Sequence, residues 1–176
     1  MASVFGHAAL AGAIGVGLPR RLRRKGVITL GVLCSMMPDL DVISFKLGIP
    51  YHGFWGHRGM THSILFGIGL GVLIMLLFHY RDTVRDKFII ALYYSICTVS
   101  HGLLDGMTTG GMGIAYFSPF DDARYFLPYR MIQVSPLGIS RFFNKWGLEV
   151  LKSEFIWIGI PSLIFIALIY GFRRLR

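Results

Sequence analysis

A histidine and a carboxylate four residues apart close an otherwise apolar run at His101-Gly102-Leu103-Leu104-Asp105. At that spacing both side chains share one helix face. Imidazole and carboxylate are ligands for a divalent metal ion, and in an apolar segment such a pair belongs in a polar cavity rather than against lipid. Other apolar stretches carry His7, end at Pro38-Asp39-Leu40-Asp41, or begin after His57-Arg58-Gly59-Met60-Thr61-His62-Ser63. We expect one site with His7, Asp39, Asp41, His57, His62, His101 and Asp105 as metal ligands.

His with Asp suits zinc or another divalent first-row ion, and the lack of Cys argues against a closed structural site. Seven ligands are too many for one tetrahedral ion. Two ions sharing a bridging carboxylate are expected, a pair that activates water and clamps the attacking and leaving oxygens of a phosphoester. Arg58 would present a planar fork to the phosphate, and Asp39 or Asp41 would act as base. Plainer readings exist for some of these groups. His7 and His57 could be tolerated interfacial or surface residues, and Asp39 and Asp41 could cap a helix after Pro38. His52 and His79 fall in a loop and beside a basic cluster, and Asp121 and Asp122 read as turn residues after Pro119.

The elements that position these groups must be membrane helices. Of the 176 residues 54% are hydrophobic and 15% charged, and mean hydropathy is +0.60. The 18 Lys and Arg against nine acids raise the question of nucleic-acid binding. Their distribution answers it: clusters at 20–25, 81–87 and 173–176 each border a long apolar segment, the pattern of cytoplasmic loops, so no nucleic-acid partner is expected. Cys34 and Cys97 lie inside apolar runs as small core residues. Apolar segments cover 4–18, 27–37, 64–80, 88–104 and 155–172. The second could reach only about 16 Å into a hydrocarbon core of roughly 30 Å, so its aspartates are recessed or its helix resumes beyond them. Residues 46–59 form an aromatic loop, with Tyr51, Phe54 and Trp55 suited to the membrane interface. In the long extracytoplasmic stretch 106–153, Arg141, Lys145, Glu149 and Lys152 oppose Phe142, Phe143, Trp146 and Val150, which predicts an interfacial amphipathic helix. The fold class is therefore an all-α integral membrane protein, one domain over 1–176, with about five apolar helical segments.

The first cations follow the first apolar stretch, the reverse of a signal peptide, so the N-terminus is expected outside and the C-terminus in the cytoplasm. Then His7, Asp39, His62 and His101 all face the outer leaflet of the inner membrane. His7, Asp39 and His101 stand 13 or 14 residues from a basic border, about 20 Å along straight helices. Such a site suits a lipid or polyprenyl phosphoester cleaved by metal-activated water. An ion or proton transporter or channel is the alternative, but the inner half of each span carries no acid or histidine. A metal-stabilised scaffold is a third reading, and it requires a closed coordination shell.

Pro38-Asp39-Leu40-Asp41, His57-Arg58-Gly59-Met60-Thr61-His62-Ser63, His101-Gly102-Leu103-Leu104-Asp105 and Pro119-Phe120, in this order, resemble a bacterial and archaeal inner-membrane family described as membrane-bound, metal-dependent hydrolases, some of whose members are regulated by the DNA-damage repressor LexA. The resemblance runs from His7 to about Asp121. The His-x-x-x-Asp element is also similar to ligand motifs of zinc phospholipase C and zinc nucleases, which implies phosphoester hydrolysis by analogy. This chain lacks the His-x-x-x-Glu element of those soluble enzymes.

Overall fold

Three polar side chains set where helices begin. Ser63 accepts a hydrogen bond from Phe66 N and opens α4 (Ile64–Phe78), and Thr83 accepts from Asp86 N and opens α5 (Val84–Gly106). Asn144 accepts from Trp146 N and Gly147 N ahead of α6 (Lys145–Glu154). Each cap satisfies N–H groups that a helix cannot pair internally. The remaining helices are α1 (Val4–Val16), α2 (Lys25–Met36), α3 (Ile43–Lys46) and α7 (Ile160–Arg174). The structure, a computed structural model, describes residues 1–136 and 142–175. Among these the architecture is all helical, and strand pairing is confined to the isolated bridges Thr108–Ile132 and Ile114–Tyr125.

Three helical stretches are long and apolar enough to cross a membrane: Lys25–Lys46, Val84–Gly106 and Lys145–Arg174. The helix therefore does resume beyond the aspartates. A 3-10 turn, Met37–Val42, joins α2 to α3 and carries Asp39 and Asp41 within the span, with Pro38 at a position where its missing N–H costs no helical bond. The amphipathic stretch leads straight into the last span. Through a π-helical turn at Phe155–Gly159, α6 continues directly into α7; Val150 turns inward while Lys145, Glu149 and Lys152 stay exposed, and Arg141 lies outside the described residues. With 13 and 15 residues, α1 and α4 reach only about 20 Å each.

Helix α5 is the axis of the bundle, packed on α1, α2 and α4. Its apolar stretch is 61% buried against 11% for the last one, which marks α7 as a peripheral helix. Close approach explains the small residues. A Cβ at Gly71 would lie 2.4 Å from Ser95 N, so α4 meets α5 backbone to backbone at Gly67 and Gly71. The core between α1, α2, α4 and α5 is built from Ala11, Val27, Cys34, Met75, Ile90 and Cys97. At one end the basic clusters meet: Arg21 pairs with Asp86 at 2.7 Å, Arg24 with Asp82 at 2.8 Å, and Arg173 donates to Leu18 O at 2.8 Å. The opposite end is capped by residues 107–136, whose Ile114, Ala115, Tyr116 and Ile132 are buried. Tyr116 donates from its hydroxyl to Gly102 O at 3.0 Å, tying that cap to α5.

Candidate metal centre

The last turns of α5 bring His101 and Asp105 beneath the cap, both fully buried. The 3-10 turn Met37–Val42 brings Asp39 beside them, and a second one, Met60–His62, brings His62. One ligand atom from each of Asp39, His62, His101 and Asp105 lies within 4.8 Å of all the others. His101 Nε2 stands 3.2 Å from Asp39 Oδ1 and 3.1 Å from His62 Nε2, and His62 Nε2 is 3.7 Å from Asp105 Oδ2.

The outer contacts fix which nitrogens point inward. His101 Nδ1 lies 2.7 Å from Ser35 O, which can only accept, so Nδ1 carries the proton, and in the neutral ring the Nε2 lone pair faces the group. His62 Nδ1 lies 3.1 Å from Asp41 Oδ2 and is held the same way. Burial, against the opposing pull of Asp41, keeps the His62 imidazole below its ordinary value and so neutral, the form that ligates. Two lone pairs 3.1 Å apart, flanked by two carboxylates, require a cation or a proton among them. Asp39 Oδ1, Asp105 Oδ2, Arg58 Nε and both His7 nitrogens are buried without a hydrogen-bond partner. They account for five of the nine such side-chain atoms among the described residues, and orphaned buried polar atoms are costly unless something else satisfies them. Two imidazole nitrogens and two carboxylate oxygens form a donor set that fits zinc or a similar ion.

The other expected ligands stand around this group. Asp41 Oδ1 is 2.6 Å from His57 Nδ1, and its Oδ2 accepts from Arg58 N at 2.9 Å and Thr61 Oγ1 at 2.8 Å. Asp41 and His57 thus form an outer pair behind His62. His7 stacks on His101 with ring centroids 3.8 Å apart, and its Nε2 is 3.4 Å from Asp105 Oδ1. Among the described residues Asp39, His62, His101 and Asp105 are the one group of three or more such ligands and could hold one ion, while the remaining expected ligands, His7, Asp41 and His57, stand as its neighbours.

Arg58 also takes a different place from the phosphate-binding fork expected of it. Its guanidinium turns inward, donating to Gly110 O at 3.0 Å and Thr108 Oγ1 at 3.2 Å, with Nε 3.3 Å from Asp105 Oδ2. Its backbone is left-handed, at φ 64°, rare for a side chain other than glycine. Bonds from Arg58 N to Asp41 and from Ala115 N to Arg58 O hold it there. Gly111 passes so close that a Cβ would lie 2.2 Å from Arg58 Nη1. Part of the glycine run after α5 is thereby explained: it covers an arginine.

Two further contributors left no motif in the sequence. Residues 1–3 run into the site, where Ala2 N donates to Asp105 Oδ1 at 2.6 Å. Buried Glu154, at the end of α6, holds this segment by accepting from Ser3 N and from Ser3 Oγ. Gly6 permits the approach, because a Cβ there would meet Ile158 Cδ1 at 2.9 Å and Glu154 Cδ at 3.1 Å. The signal that could have singled out Glu154 is a lone acid directly before a long apolar run.

Fold and site together define a helical membrane protein with a buried His/Asp group able to hold a metal ion. The chain belongs to the YdjM inner membrane protein family, which matches over residues 1–175. It is 35% identical over 175 residues to inner membrane protein YbcI of Escherichia coli (strain K12), covering 99% of this chain and all of that one. A weaker likeness, 32% identity over 111 residues, joins 60% of this chain to 36% of the oligopeptide transport system permease protein OppC of Lactococcus lactis. No solved structure matches.

Proposed function

We propose that this chain is a membrane-embedded, metal-dependent hydrolase that cleaves a phosphoester of a membrane-borne lipid or polyprenyl phosphate. The observation that carries the reading is the buried group Asp39, His62, His101 and Asp105, with unpartnered carboxylate oxygens aimed into it. A divalent ion held there would supply Lewis acidity and a water acidic enough to attack phosphorus near neutral pH. The chain's own residues do the rest. Ser35 O and Asp41 orient His101 and His62 as donors through Nε2, and Arg58 and Ala2 N hold Asp105 in place. Asp39, the least buried of the four, is the base that takes the proton of the attacking water. The site faces the outer leaflet in this reading, with the three basic ends in the cytoplasm.

A conduction path would have to cross the apolar core of Val27, Cys34, Met75, Ile90 and Cys97 that separates this group from the basic end, which counts against a transporter or channel. The test is metal content per chain by plasma mass spectrometry on detergent-purified protein, beside the double variant His101→Ala, Asp105→Ala. About one equivalent of zinc or a similar ion in the parent and none in the variant is the expected result. A parent free of metal under non-chelating conditions refutes the hydrolase reading.

A further inference from the structure

A cavity of about 390 Å³ opens beside the candidate metal centre, between residues 1–5 and the pair Phe142 and Phe143. That is within the roughly 300–1,000 Å³ typical of small-molecule sites. Val4, Phe5, Pro136, Phe142 and Phe143 make its walls apolar, and Asp39 of the His/Asp group is part of the same lining. Asp39 is also the one member of the group with a side chain reachable from outside, 12% exposed against 0% for His62, His101 and Asp105. The groove is therefore the side from which the group is approached.

We infer that this groove is the chain-binding subsite for a membrane phosphoester: the phosphate lies at Asp39 and the apolar chain lies along Phe5, Phe142 and Phe143. The inference rests on the metal-dependent reading above, and its chemistry depends on the ion. A phosphate beside the Asp39 carboxylate is repelled unless a cation stands between them, so head-group binding at this position is metal-dependent. The walls then select the tail. A small soluble phosphoester gains nothing from five apolar side chains, whereas each buried methylene of an alkyl chain contributes favourably to binding. Phe5 and Phe143, 56% and 79% exposed, carry the apolar wall out to the surface of the protein, which gives a lipid chain a continuous apolar path into the groove.

The experiment uses the full chain in phosphatidylcholine nanodiscs, loaded with Co(II), whose visible absorption reports a change of ligand at the metal. Inorganic phosphate, methyl phosphate, octyl phosphate and dodecyl phosphate are titrated in turn. Affinity is expected to rise at least about tenfold from methyl to octyl phosphate. Val4→Trp, which fills the groove, should erase that gain while phosphate binding stays within about twofold, and Phe143→Ala should weaken dodecyl phosphate alone, both effects following from lost apolar contact. An equal chain-length gain in Val4→Trp would mean that the chain merely partitions into the bilayer, and no gain in the parent would mean that the groove holds no chain; either overturns the subsite. Failure of the parent to take up cobalt overturns the metal reading itself and the subsite with it.

Discussion

At the scale of single residues, Asp41 controls the centre without belonging to the inner group. It ties up His62 Nδ1, which leaves Nε2 facing His101, and it also holds His57, Thr61 and the Arg58 backbone in place. Asp41→Asn keeps the shape but removes the charge that favours the ligating tautomer of His62. Metal affinity should fall about 10- to 100-fold, the usual effect of losing a partner behind a metal ligand, as read by competition with a chromogenic chelator. Asp121→Asn, at an exposed turn, should leave it unchanged; equal loss in both would show that Asp41 acts only through general stability. The residue types of this centre were plain from the sequence, because His and Asp in apolar surroundings are few and stand out. Their division was not. Spacing along a chain puts Asp39 and Asp41 two residues apart but does not say that one faces His101 and the other His57. Nor does it say that Arg58 points its fork inward.

At the scale of elements, the site depends on pieces with no helical period as much as on the helices. The five apolar runs and the amphipathic stretch were legible because lipid demands long apolar segments and a helix imposes its own period. The cap of residues 107–136 and the inserted residues 1–3 were not, since their order comes from tertiary bonds such as Ala2 N to Asp105 and Leu127 N to Gly106 O. Glu154 links these two worlds. It reads like a neighbour of the exposed charges Glu149 and Lys152, yet it is buried and clamps Ser3 from the end of α6. Glu154→Ala leaves two donors of Ser3 without an acceptor, a cost of about 1–3 kcal/mol for each buried group. Thermal unfolding should shift to lower temperature and metal retention should weaken, because Asp105 loses the N–H that Ser3 positions. Glu149→Ala, which breaks only an exposed pair with Lys152, should change neither. A Glu154→Ala protein as stable and as metal-retentive as its parent would show that residues 1–3 are held by the cap alone.

At the scale of the whole molecule, the three basic clusters are far apart in the chain and adjacent in space. Arg21 and Arg24 pair with Asp86 and Asp82, and Arg173 reaches the end of α1, so the positive charge gathers at the end opposite the His/Asp group. By the positive-inside rule, a bundle with its positive charge gathered at one end is expected to keep that end in the cytoplasm. Cysteine labelling in intact cells tests this, since Cys34 and Cys97 are buried and should stay silent. Phe120, 86% exposed, lies at the capped end and Leu175, 85% exposed, at the basic end. A membrane-impermeant maleimide should label Phe120→Cys in intact spheroplasts and Leu175→Cys only after lysis. The reverse pattern would place the His/Asp group and its groove at the inner leaflet, and the substrate would then have to come from cytoplasmic lipid.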